Sequence, residues 1–314
     1  VSIADRRTLP ASIWFVIGVG GAAVGLLPWL VTGARLPLQN LAADQSTTVT
    51  PVALLPFSQY FLTTIVALLV VGAAAAGIAS RVLAHRRPRF GLTALVSGVL
   101  AVQLIAAVQS TAVSVGLLEE STVAGVYAGA VVAVIVVSVA VGLLILFLIA
   151  RASTPGATIA LSLAAVVSTN WVGAALRDVM TYGPNGLVQA LSLVLRFLPA
   201  VLVGCAIAWC GFRTAGRLAA VVVSLAALWI GPAFFTAVSA AAGTRILAPY
   251  LSEMAEYGLQ VFVSALTVPE LAAPPILVAL VIGVAGWMLR SWRERGGRES
   301  ARDVAVGPET AQSR

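Results

Sequence analysis

The chain has 314 residues, 60% hydrophobic and 10% charged, with a formal charge of +7 and a mean hydropathy of +1.01. A soluble domain carries about 25% charged residues, so a water-soluble globule is excluded. Apolar runs close to the ~20 residues needed for a transmembrane helix recur along the chain, without the alternation of barrel strands. The expected fold class is an all-α integral membrane protein, a polytopic bundle of about eight transmembrane helices.

Residues 1–11 are polar and contain Arg6 and Arg7. The first span, 12–32, is too long for a signal-peptide core and reads as a retained anchor. Its Gly21 and Gly25 form a GxxxG pair, which lets a second helix approach closely. Residues 33–58 form a long connection in which Pro37, Pro51 and Pro56 forbid a continuous helix. Its centre, 44–50, is aqueous in character. Its flanks are apolar enough to lie at the interface or dip back into the protein.

The second span, 59–83, ends in a basic turn with Arg81, Arg86, Arg87 and Arg89. The third, 90–115, carries Gln103 and Gln109, and Glu119 and Glu120 follow it. The fourth, 123–150, is about 42 Å long as a straight helix, so it must tilt or protrude. It holds a second GxxxG pair, Gly125 and Gly129. The fifth, 157–176, contains Ser168 and Asn170 and leads into Arg177 and Asp178. The sixth, 187–212, carries Arg196 and Pro199, and the seventh, 218–243, is kinked at Pro232. Residues 244–270 pattern as an amphipathic helix at the membrane surface. The eighth span, 272–289, is entered through Pro274 and Pro275, and 290–314 reads as a disordered polar tail.

Charge gives an independent test of this division. An even number of spans puts both termini on one side. Fifteen of the nineteen arginines then share that side, and Arg35, Arg177 and Arg245 lie opposite. The positive-inside rule makes the arginine-rich side cytoplasmic. The basic residues are thereby explained by orientation and by anionic headgroups on the cytoplasmic side of the bilayer, with no nucleic acid partner. All basic residues are arginine and the first residue is valine, which fits GC-rich coding and a GTG start. The expected location is a bacterial plasma membrane.

Arg196 is the one charge within a span. If the helix enters the hydrocarbon at Leu187, Arg196 lies near the midplane, where an ionised residue marks a functional site. If the hydrocarbon begins later, the guanidinium snorkels to the outer interface and 197–212 spans alone. Asp178 is the nearest expected carboxylate. Gln103, Gln109, Asn170, Ser168 and Gln189 are the neutral polar groups at depth, and Asn170, Gln103 and Gln109 form the candidate solute-binding set with Arg196 and Asp178. The alternative role for each is an interhelical hydrogen bond.

Neither a metal nor a cofactor is expected. His85 is the single histidine, and Cys205 and Cys210 point to different faces of one helix. A phosphate-binding loop and the repeated arginines of a voltage sensor are both missing. The expected function is therefore a permease or permease-like transport subunit for a small neutral, apolar or anionic solute. The alternatives are a non-transporting scaffold with a membrane-protein partner or homo-oligomer, and a lipid-modifying enzyme using Asp178, Glu119 or Glu120.

Overall fold

The computed structural model describes residues 8–37, 51–244 and 250–306, with side chains to residue 293. Arg6, Arg7, Arg245, the aqueous segment 44–50 and residues 307–314 lie outside the described residues. Among the described residues, eight helices are long and apolar enough to cross a membrane: Ala11–Val31, Gln59–Val82, Gly91–Val115, Thr122–Arg151, Thr154–Tyr182, Asn185–Cys210, Ala215–Gly243 and Pro269–Arg293. The chain is an all-α polytopic membrane bundle.

The helices are α1 (Ala11–Val31), α2 (Leu62–Val82), α3 (Gly91–Val115), α4 (Thr122–Arg151), α5 (Thr154–Ala175), α6 (Arg177–Tyr182), α7 (Asn185–Cys210), α8 (Ala215–Gly243), α9 (Leu251–Leu266) and α10 (Pro269–Val306). Their limits follow local chemistry. The Ser121 side chain caps α4 by accepting from the Ala124 N–H, and Thr214 caps α8 through Arg217 N–H. Pro155 occupies the first turn of α5, where its missing N–H costs no helical bond. Gly211 ends α7 at φ +71°, a conformation that favours glycine.

α2 is the most buried span, enclosed by α1, α4 and α5, and α10 is the least. Gly21 sits against Ala76, where an added Cβ would lie 2.8 Å from the Ala76 Cβ, and Gly25 sits against the Leu68 carbonyl and Gly72. A second close approach joins Gly18 to the Leu95 backbone and Gly98 to the Phe15 backbone. Gly125 and Gly129 differ from the packing role expected for them. Among the described residues both face open space, whereas α4 packs with α2 from Val131 onward, through Ile135, Gly142 and Ile145.

The flank of the first long connection folds back into the bundle. Ala53, Leu55 and Phe57 are fully buried. A single antiparallel bridge pairs Arg35 with Val52, and the Trp29 indole donates to the Ala53 carbonyl at 2.7 Å. α10 also departs from expectation, since it continues to Val306 where the sequence reads as a disordered tail.

All the arginine-rich connections gather at one end. The Arg81 guanidinium donates to the carbonyls of Ile149 and Ala152 and stacks over Trp209, tying α2, α4 and α7 together.

Candidate functional site

Three helices in the second half of the chain carry an internal proline, and the prolines meet. Pro199 of α7, Pro232 of α8 and Pro275 of α10 line one cavity of about 750 Å³, which α5 and Ala265 of α9 complete. A proline has no N–H, so the carbonyl four residues earlier loses its helical donor. For Pro199 that carbonyl is Leu195, and the Thr169 hydroxyl donates to it at 3.3 Å. For Pro274 it is Glu270, and the Arg196 guanidinium donates to it at 2.7 Å. For Pro232 and Pro275 the carbonyls belong to Leu228 and Leu271, both in the cavity wall.

The Arg196 bond also ties it to α10. Glu270 stands at the very start of α10, so the Arg196 guanidinium is level with the beginning of that helix. Fourteen residues separate Arg196 from Cys210 at the arginine-rich end, about 21 Å of helix. α5 and α8 continue well past this level, while α10 begins there, so the cavity lies beside the point where one wall helix starts.

Arg196 is exposed to the cavity and leans on the Phe197 ring at 5.6 Å. Among the described residues no carboxylate pairs with it. Asp178 is exposed on α6, beyond the end of α5, about two and a half helical turns from the Thr169 level, and does not line the cavity. The neighbouring Arg177 turns instead toward Trp29 and Phe61, 5.4 and 5.0 Å from their ring centres.

Of the other candidates, only Asn170 joins Arg196 in the cavity wall. Gln103 is buried between α3 and α2, where its amide donates to the Leu69 carbonyl at 2.9 Å. Gln109 clamps the returning connection: it accepts from Leu54 N–H at 2.9 Å and donates to the Val52 carbonyl at 2.8 Å. Both glutamines are therefore held in structural bonds away from Arg196. The sequence reading missed Thr169, Trp229, Thr236 and Ser239, which add hydroxyls and an indole to the wall. The proline spacing carried the available signal, because each proline names a carbonyl in need of a donor.

The cavity wall is mostly apolar. One guanidinium, several hydroxyls, one amide and freed backbone carbonyls are concentrated around the Arg196 level. This arrangement suits a solute with an apolar body and a polar or anionic group. A smaller cavity of about 110 Å³ lies at the opposite, arginine-rich end, lined by Arg213, Arg217, Arg290 and Trp287. The chain matches no family model, no curated protein and no solved structure.

Proposed function

We propose that this membrane protein is a permease-type carrier whose solute occupies the cavity between α5, α7, α8 and α10. The observation that carries the reading is Arg196, an intramembrane cation without a carboxylate partner among the described residues, in a chamber lined by three helix-interrupting prolines. Transporter sites are commonly built from such interrupted helices, because freed backbone groups and a buried charge can exchange water for solute at low cost. The orientation that accompanies this reading has the arginine-rich end and both termini in the cytoplasm of a bacterial cell. Anionic headgroups contact that end, including the pocket formed by Arg213, Arg217 and Arg290.

The test uses purified protein in liposomes loaded with octanoate, butyl phosphate, acetate and indole, with efflux followed by mass spectrometry. At least one solute is expected to leave faster than from equally loaded liposomes without the protein, and Arg196→Ala is expected to stop it without changing thermal stability. Equal leakage with and without the protein removes the carrier reading.

A second reading draws on α4. Gly125 and Gly129 meet nothing among the described residues, so their GxxxG face suits a helix of a partner or of a second copy, as in a scaffold subunit. Purification in mild detergent separates the readings. A stoichiometric partner displaced by Gly125→Leu, combined with no solute flux, supports the scaffold.

A further inference from the structure

A second large cavity lies on the other side of α8. It has a volume of about 780 Å³ and is walled by α2, α4, α5 and α8. Its lining is almost wholly apolar, with Thr63 and Ser138 the only polar side chains. The Ser138 hydroxyl is already committed to the Val134 carbonyl at 2.6 Å. Along α4 the lining runs from Ala133 to Ile145, about 18 Å of helix. That is close to the hydrocarbon depth of one leaflet, ~15 Å, half the thickness of the bilayer core.

The two cavities share two wall residues, Val166 of α5 and Phe235 of α8. Just below Phe235, α5 and α8 touch where Gly231 sits against the Val166 side chain. Phe235 is half-buried and belongs to the apolar surface on both sides of α8. The polar chamber and the apolar groove are thus neighbours across one valine and one phenylalanine, at the level of Arg196.

We infer that the two cavities are the head and tail sites for one ligand, a membrane amphiphile with an anionic phosphate or carboxylate head at Arg196 and a hydrocarbon chain in the α4–α8 groove. The inference takes the Arg196 chamber as a binding site, as the carrier reading does, and adds the class of molecule. Charge selects the head, since among the described residues the cation has no competing carboxylate and only one of its N–H groups is bonded, to the Glu270 carbonyl. Shape selects the tail, since the groove is long, apolar in its lining and divided from the chamber only by the Val166 and Phe235 side chains. A small hydrophilic anion would fill the head site and leave the groove to bilayer lipid.

The test is photolabelling of the protein in lipid nanodiscs with dodecyl phosphate bearing a terminal diazirine, followed by peptide mapping. Label is expected on groove residues of α4 and α8, such as Val137 and Ile230. It is expected to fall about tenfold in Arg196→Gln, as for loss of a charge-assisted hydrogen bond, and similarly in Ile230→Trp, which fills the groove. Groove labelling that survives Arg196→Gln overturns the inference, because ordinary bilayer lipid would then occupy the groove. Labelling lost in Arg196→Gln but unchanged in Ile230→Trp overturns it as well, leaving a head site alone. The liposome efflux assay is separate. Its failure with normal labelling removes the carrier reading and leaves a lipid-binding site.

Discussion

The two halves of the bundle share close packing at glycine and differ in what they build around proline. In α1–α4, glycine and alanine bring backbones into direct contact, as at Gly21–Ala76 and Gly25–Gly72, and the Gln103 amide donates across the α2–α3 seam to the Leu69 carbonyl. In the second half, from α5 to α10, prolines interrupt three helices around a chamber, and Thr169 and Arg196 compensate two of the carbonyls set free. A membrane offers little hydrophobic drive between helices, so close packing or specific bonds must supply the cohesion. The first half rests on such contacts throughout. The second keeps them between α7 and α10, where Gly204 meets the Ala279 carbonyl and Gly283 the Ile207 side chain, and adds a proline-lined chamber between α5, α7, α8 and α10.

Substitutions can break this contrast. The largest stability effect is expected at Gly25. A leucine there meets the α2 backbone at Leu68 and Gly72, and Gly25→Leu should lose about 3 kcal/mol or fail to fold, the upper range for overpacking. Unfolding in mixed micelles measures it. The same change at Gly125 meets open space and should stay within about 0.5 kcal/mol of the parent. Equal losses at both sites would show that the first-half contacts are not what hold it.

Removal of Gln109 is next. Gln109→Ala leaves the Leu54 N–H and Val52 carbonyl without this partner and should cost about 1–2 kcal/mol. Faster hydrogen exchange at Leu54 is the local readout. The second half responds differently. Pro232→Ala returns a helical donor to the Leu228 carbonyl, so stability should hold or rise while efflux falls. A variant that unfolds instead would mean that the kink is needed for packing. The smallest effect belongs to Ser162→Ala, which deletes the 2.9 Å hydroxyl bond to Ser224 between α5 and α8 and should cost about 0.6 kcal/mol.

Much of the bundle is readable from the chain because a hydrocarbon solvent leaves few options. The runs that became spans are apolar over the required length, and their ends carry Arg81, Arg151 and Arg213. The amphipathic pattern in 244–270 likewise became α9, which rests on α8 through Gly258 near Ala241. The candidate site was readable only in part. Arg196 stands out as a charge in an apolar run, but its neighbours depend on which helices flank α7. Asp178, close in sequence, lies beyond the end of α5, whereas Glu270, 74 residues away, supplies the carbonyl that Arg196 binds. Gln103 and Gln109 face α2 and the returning connection, which span length alone does not reveal.

The sequence by itself determined the class of molecule, the number of spans and the clustering of arginine at one end, because bilayer thickness and the cost of burying charge act on each segment separately. Only the tertiary structure decided that three prolines converge, that Arg196 stands level with the start of α10, and that an apolar groove adjoins its chamber at Val166 and Phe235. These are relations between helices distant in sequence, set by which small residues allow backbones to approach, and no local pattern encodes them.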